Sequence, residues 1–121
     1  MTEPAQNMSQ KPTKQFKMPA DKILPLAKGF GGCIASDKIT VEGKVVGYMY
    51  REKPHNELDS GWRFLAGNET EEYMANSSNH SAYDVNTIAN YDPTIIPLLN
   101  SPIGSAFERK PGSLKLEAVT D

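Results

Sequence analysis

Apolar and polar positions first fall into a repeating pattern at "GCIASDKITVEGKVVGYMYRE", beginning at Gly32. Ile34 to Val41 and Lys44 to Arg51 are rich in β-branched and aromatic residues, which favour strands. Glu42-Gly43 lies between them, and glycine supplies the positive φ of a tight turn, so the pattern predicts a hairpin closed at Gly43. In its second strand Val46, Tyr48 and Tyr50 would share one face, and Val45, Met49 and Arg51 the other. Gly47 marks a bulge or a close approach by another element. "EKPHNELDSG" reads as a loop and "WRFLAG" as a short strand, with Trp62 and Phe64 on one side and Arg63 and Leu65 on the other. Asn68 then stands as a helix N-cap, with Glu71 three residues on to complete a capping box. "MANSSNHSAYD" reads as a polar connection. Asp84 can cap a second helix, "VNTIANY", and Asp92-Pro93 is a cap followed by proline at the first helical position. Pro97 limits "TIIPLL" to a short turn. "SAFER" and "SLKLEAV" read as closing strands joined at "KPG". The succession predicts an α+β domain: a mainly antiparallel sheet of about five strands with two or three short helices on one face.

Upstream, residues 1–20 are polar, rich in Lys, Gln, Ser and Pro. Such a stretch buries too little apolar surface to offset its ordering entropy, so it is expected to be a disordered tail ahead of a single domain over 21–121. That tail accounts for an apolar share of only 38% in the whole chain. No stretch has the length and apolarity of a membrane span or the apolar core of a signal peptide, so the expected location is cytoplasmic, without membrane contact.

Charge sharpens the picture. Residues 57–92 hold seven acidic residues against one basic residue, Arg63. An acidic middle repels phosphate, so nucleic acid is not an expected partner. A basic protein would be steered toward it. Glu69, Glu71 and Glu72 fall where a helix dipole favours negative charge, which already explains three of the four acids in "DSGWRFLAGNETEEYM". Asp59 stands outside that explanation. Trp62 reads as a core anchor, and Arg63, on the opposite strand face, as an exposed side chain paired with Asp59 or a helix glutamate.

Catalytic patterns are sparse. Cys33 is the only cysteine, which excludes an internal disulfide, and it lies among apolar residues as structural thiols do. A nucleophile formed with His55 or His80, or a zinc site from all three, has no supporting spacing. Asp59 with Glu71 or Glu72 offers paired carboxylates for hydrolysis, although caps and solvated surface explain them as well. "GFGG" lacks the Lys-Ser/Thr of a phosphate loop. Neither a cofactor nor a metal is expected.

Four blocks, "CIASDKITVEGKVVGYMYRE", "LDSGWRFLAGNETEEYM", "NTIANYDPTIIPLL" and "PIGSAFER", resemble a bacterial family of predicted immunity-protein domains. It is the thirty-third such type, formerly a domain of unknown function. The resemblance runs from about Gly32 to Arg109. Its matching positions are mostly turn glycines, caps and core aromatics, among them Gly47, Gly61, Trp62, Asp92, Pro93 and Phe107. The resemblance implies a non-enzymatic protein that binds and blocks a cognate toxin. Combined with the charge pattern, it places the partner-binding face at Asp59, Arg63, Glu69, Glu72 and Asp84. Gly43, Gly47, Trp62, Asn68, Glu71, Asp92 and Pro93 would be structural. A small-ligand-binding or accessory protein, or a hydrolase using paired carboxylates, are the alternatives.

Overall fold

The structure, a computed structural model, describes residues 14–119. Its strands are β1 (Gly32–Ser36), β2 (Tyr48–Arg51), β3 (Asp59–Leu65), β4 (His80–Asp84), β5 (Ala106–Glu108) and β6 (Glu117–Ala118). They form one sheet in the order β4-β1-β3-β2-β5-β6. Every pairing is antiparallel except β1 with β3. The helices α1 (Asp37–Thr40), α2 (Glu71–Ala75) and α3 (Val85–Tyr91) are short, and Pro93–Leu98 forms a 3-10 turn. The fold is α+β, as expected.

The expected hairpin at Gly43 does not form. β1 and β2 flank β3 on opposite sides instead of pairing with each other. The hydroxyl of Ser36 accepts from the amide of Lys38, and this cap turns the chain into α1 before a strand can continue. Gly43 does take a positive φ, +79°, but it closes a helix: its amide and that of Lys44 return to the carbonyls of Ile39 and Lys38. The β-branched run Ile39-Thr40-Val41 concealed that helix, and two of its members, Ile39 and Thr40, are fully buried.

Alternation through β2 also slips by one residue. Val46 is buried and Val45 is exposed, although the pattern paired Val45 with buried Met49. The cause is Gly47, whose backbone is gripped on both sides: its amide donates to Leu65 O, and its carbonyl accepts from Arg109 N. A Cβ here would lie 1.9 Å from the carbonyl oxygen of Ala66, so close approach rather than a bulge explains the glycine. Val46 is tethered next to it. Its amide donates to Asp92 Oδ2 at 2.9 Å and its carbonyl accepts from Arg109 Nε at 3.0 Å, while Asp92 and Arg109 pair at 2.8 Å. Asp92 also caps the Pro93 turn, with proline at its start as expected.

One face of the sheet carries the core. Cys33, Ala35, Met49, Trp62, Phe64 and Phe107 meet there beneath α3 and the 3-10 turn, which contribute Val85, Ile88, Ala89 and Ile95, with Leu99 just past the turn. Trp62 is the anchor that the sequence indicated: it is fully buried, stacks on Phe64 and donates Nε1–H to Leu99 O at 3.1 Å.

The expected tail, residues 1–20, falls mostly outside the described residues, but Lys14 to Ala20 can be followed. Lys14 Nζ pairs with Asp37 at 2.8 Å, Lys17 N donates to Thr40 O at 2.8 Å and Met18 N donates to the Tyr91 hydroxyl at 3.0 Å. Phe16 sets its ring edge-on to Tyr83. Contacts with the domain therefore reach back to Lys14.

Candidate functional site

The second face of the sheet is more open. Ile34, Tyr48, Tyr50 and Leu65 are half-buried there and Ala82 is exposed. Arg63 sits in their midst, opposite Ile34 on β1 and Tyr50 on β2. It is not the exposed side chain that the sequence suggested, for only 4% of it is accessible. Gly61, at φ +89°, breaks the regular rise of β3, and Asp59 and Arg63 meet across the break. The guanidinium forks onto Asp59, with Nη1 to Oδ1 at 2.9 Å and Nη2 to Oδ2 at 2.8 Å. Its Nε donates to Glu52 Oε2 at 2.5 Å. A bidentate, charge-assisted pair of this kind is strong and directional. The Arg63 hydrogen bonds hold the Asp59 carboxyl far below the usual carboxylate range, helped by the amides of His55 and Gly61. In return Asp59 raises the Arg63 pKa above its ordinary value.

Two hollows open on this face, and Ile34 lines both. The larger, about 320 Å³, is bounded by Gly32, Ile34, His55, Leu58, Asp59 and Ala82. The smaller, about 170 Å³, lies between Tyr50, Arg63, Leu65, Met74 and His80. The Arg63 cluster adjoins both, with Asp59 on the first and Arg63 and Glu52 on the second.

The five residues marked for partner binding separate along β1. Asp59 and Asp84 both lie opposite Gly32, at its start. Glu69 and Glu72 belong to the segment at its far end, where Tyr73 packs under the Lys38 ammonium just beyond Ser36. Asp84 is exposed and caps α3, accepting from Asn86 N at 2.8 Å. Glu72 is exposed in the first turn of α2. Glu69 faces inward. Partial burial opposes its charge, yet the amides of Ala66 and Gly67, at 2.7 and 2.9 Å, prevail and lower its pKa.

That carboxylate also displaces the expected cap. With Glu69 holding the 66–67 loop, the cap falls two residues after Asn68, at Thr70, which accepts from Tyr73 N and starts α2 at Glu71. Glu71 is the first helical residue and not the reciprocal partner in a capping box. Asn68 Oδ1 instead accepts from Lys38 Nζ at 3.2 Å.

The structure does not assemble the catalytic groupings weighed above. Asp59 and the α2 glutamates stand at opposite ends of β1, so they form no carboxylate pair. Cys33 is buried, and burial pushes its thiol well above the ordinary range. His80 pairs across β1 with Ser36, three residues from Cys33, and His55, although it lines the same hollow as Cys33, gives its amide to Asp59 while the thiol is buried in the core. Among the described residues no three of His, Cys, Asp and Glu gather as metal ligands, and no helix is long and apolar enough to cross a membrane. Two functional candidates escaped the sequence, Glu52 and Leu58. Glu52 stood in a stretch read as loop. It becomes visible once β2 is paired with β3, since its amide then donates to Gly61 O and its side chain faces Arg63.

The Immunity protein Imm33 domain family matches residues 33–118, which span β1 to β6 and the whole open face. No curated protein and no solved structure matches the chain. The match covers most of the chain and the full sheet, and the chain belongs to the Imm33 immunity-protein domain family.

Proposed function

We propose that this protein neutralises a cognate toxin by binding it directly through the open face of the sheet, without catalysis. The observation that carries the reading is the composition of that face. Half-exposed Ile34, Tyr48, Tyr50 and Leu65 surround a locked ion-pair cluster, and exposed carboxylates of Glu57, Glu71, Glu72 and Asp84 lie toward its ends. An aromatic and aliphatic centre with a charged rim is the usual anatomy of a protein interface. The rim sign favours a basic toxin domain. The five residues first marked divide by task. Asp84 and Glu72 present charge to the partner, while Asp59, Arg63 and Glu69 shape the surface on which it sits. The alternative of a small-molecule site draws on the two hollows, but a half-open sheet surface with a charged rim suits a macromolecule better.

The test is stopped-flow association with the toxin domain captured by this protein. Replacing Glu57, Glu72 and Asp84 by their amides should slow association roughly tenfold or more at low salt, with a small effect on dissociation. The difference should fade at high ionic strength, because rim charges are screened. An unchanged rate at low salt would refute the acidic rim, and failure to protect toxin-exposed cells would refute the immunity role.

A further inference from the structure

The loop 52–58 presents one large apolar side chain to solvent: Leu58 is 82% exposed. The loop backbone that carries it is held by hydrogen bonds. The loop is fixed at one end by Glu52 on Arg63 and at the other by Asp59, whose Oδ2 accepts from His55 N at 2.8 Å. Leu58 N donates to Asn56 Oδ1 at 2.9 Å, and Leu58 O accepts from Gly32 N at 2.7 Å. A leucine left in the open returns no burial energy within the folded chain. The same leucine forms one wall of the 320 Å³ hollow, whose other walls include Ile34 and Ala82.

The surroundings of this hollow are acidic. Asp59 lines it, Glu57 precedes Leu58, and Asp84 lies on the strand beside Ala82, opposite Gly32. Asp59 is already neutralised by Arg63, which leaves Glu57 and Asp84 to act on an incoming group. An apolar cup with a negative lip fits an alkyl or aryl group that carries or adjoins a cation. Pockets of this kind, held in shape before binding, are where interface energy concentrates.

We propose that Leu58 and the hollow behind it form the anchor pocket of the partner interface, which receives from the toxin an apolar side chain adjoining a positive charge. This deepens the binding reading above and rests on it. Leu58 supplies the contact that slows dissociation, and Asp84 selects for the cation.

Benzylammonium, an aryl group beside a cation, is a direct probe, followed by amide and methyl NMR shifts. The expected result is a saturable change at Ile34, Leu58 and Ala82. Leu58→Ala should weaken it several-fold, and so should Asp84→Asn, which keeps the α3 cap because asparagine caps as well as aspartate does. Neutral benzyl alcohol should bind more weakly than the cation. No saturable change at these residues, or equal binding by the Leu58→Ala variant, overturns the pocket. A melting temperature matching the parent confirms that the exposed Leu58→Ala change leaves the fold intact. If Leu58→Ala instead dissolves a self-associated dimer, the occupant is a second copy and the proposal fails. A protein that binds benzylammonium here but captures no toxin sinks the immunity reading alone, whereas one that captures toxin without filling the hollow sinks the pocket alone.

Discussion

Arg63 and Asp59 show how one pair can be structural and still define a functional surface. The guanidinium is removed from water among Ile34 and Tyr50, and its desolvation is offset by a forked carboxylate and a second acid, Glu52. Removing one partner of such a pair leaves the other under-compensated. Asp59→Asn is expected to destabilise the fold by up to about 3 kcal/mol at neutral pH, measured by denaturant unfolding. Because the folded state lowers the Asp59 pKa, the stabilisation is present above the ordinary carboxylate range and is lost as pH falls below it. The gap between parent and variant should therefore close on acidification. Trp62→Ala should cost about 3–5 kcal/mol, since the indole is fully buried and its Nε1–H is satisfied by Leu99. Cys33 follows the same logic of burial. Its raised pKa predicts slow labelling by a thiol reagent in the native protein and fast labelling once unfolded.

Among the elements, β2 depends on a single glycine. Gly47 lies where β2, the end of β3 and the segment after β5 converge, with hydrogen bonds to Leu65 and Arg109 and no room for a methyl group. Gly47→Ala should prevent β2 from seating, and the soluble protein yield and the thermal transition would both report it. Helix α2 has the opposite character. None of its residues is buried, so Thr70→Ala, which removes its cap, should lower helix content locally and cost about 1 kcal/mol at most. A larger effect would mean that α2 supports the open face through Met74.

The whole molecule is a sheet with a closed side and an open side, and the N-terminal approach belongs to the closed side. Lys17, Met18 and Phe16 contact Thr40, Tyr91 and Tyr83. A chain shortened by residues 1–20 should thus melt several degrees below one shortened by residues 1–13, since each hydrogen bond lost contributes about 0.5–1.5 kcal/mol. Equal melting temperatures would show that Lys14 to Ala20 contribute nothing to stability.

Local chemistry was enough to read much of this protein from its sequence. The α+β class, the Trp62 anchor, the Asp84 and Asp92 caps and the Pro93 start follow from spacing and from side chains acting on their own neighbours. The family, too, was legible in linear blocks. Pairing was not. Strand β4 looked like a polar loop because an edge strand, half-exposed, needs no apolar alternation, and only β1 defines it. Whether Ile39-Thr40-Val41 became strand or helix was decided by the Ser36 hydroxyl, one bond against a β-branched run. Arg63 was read as exposed because strand alternation says which side a residue takes, but not what covers that side. Asp59 beside Arg63 was expected from the sequence, and only the tertiary structure adds Glu52 and buries Arg63. The meeting of Glu52 with Arg63 depends on the pairing of β2 with β3 and on the kink at Gly61, and no local pattern encodes it.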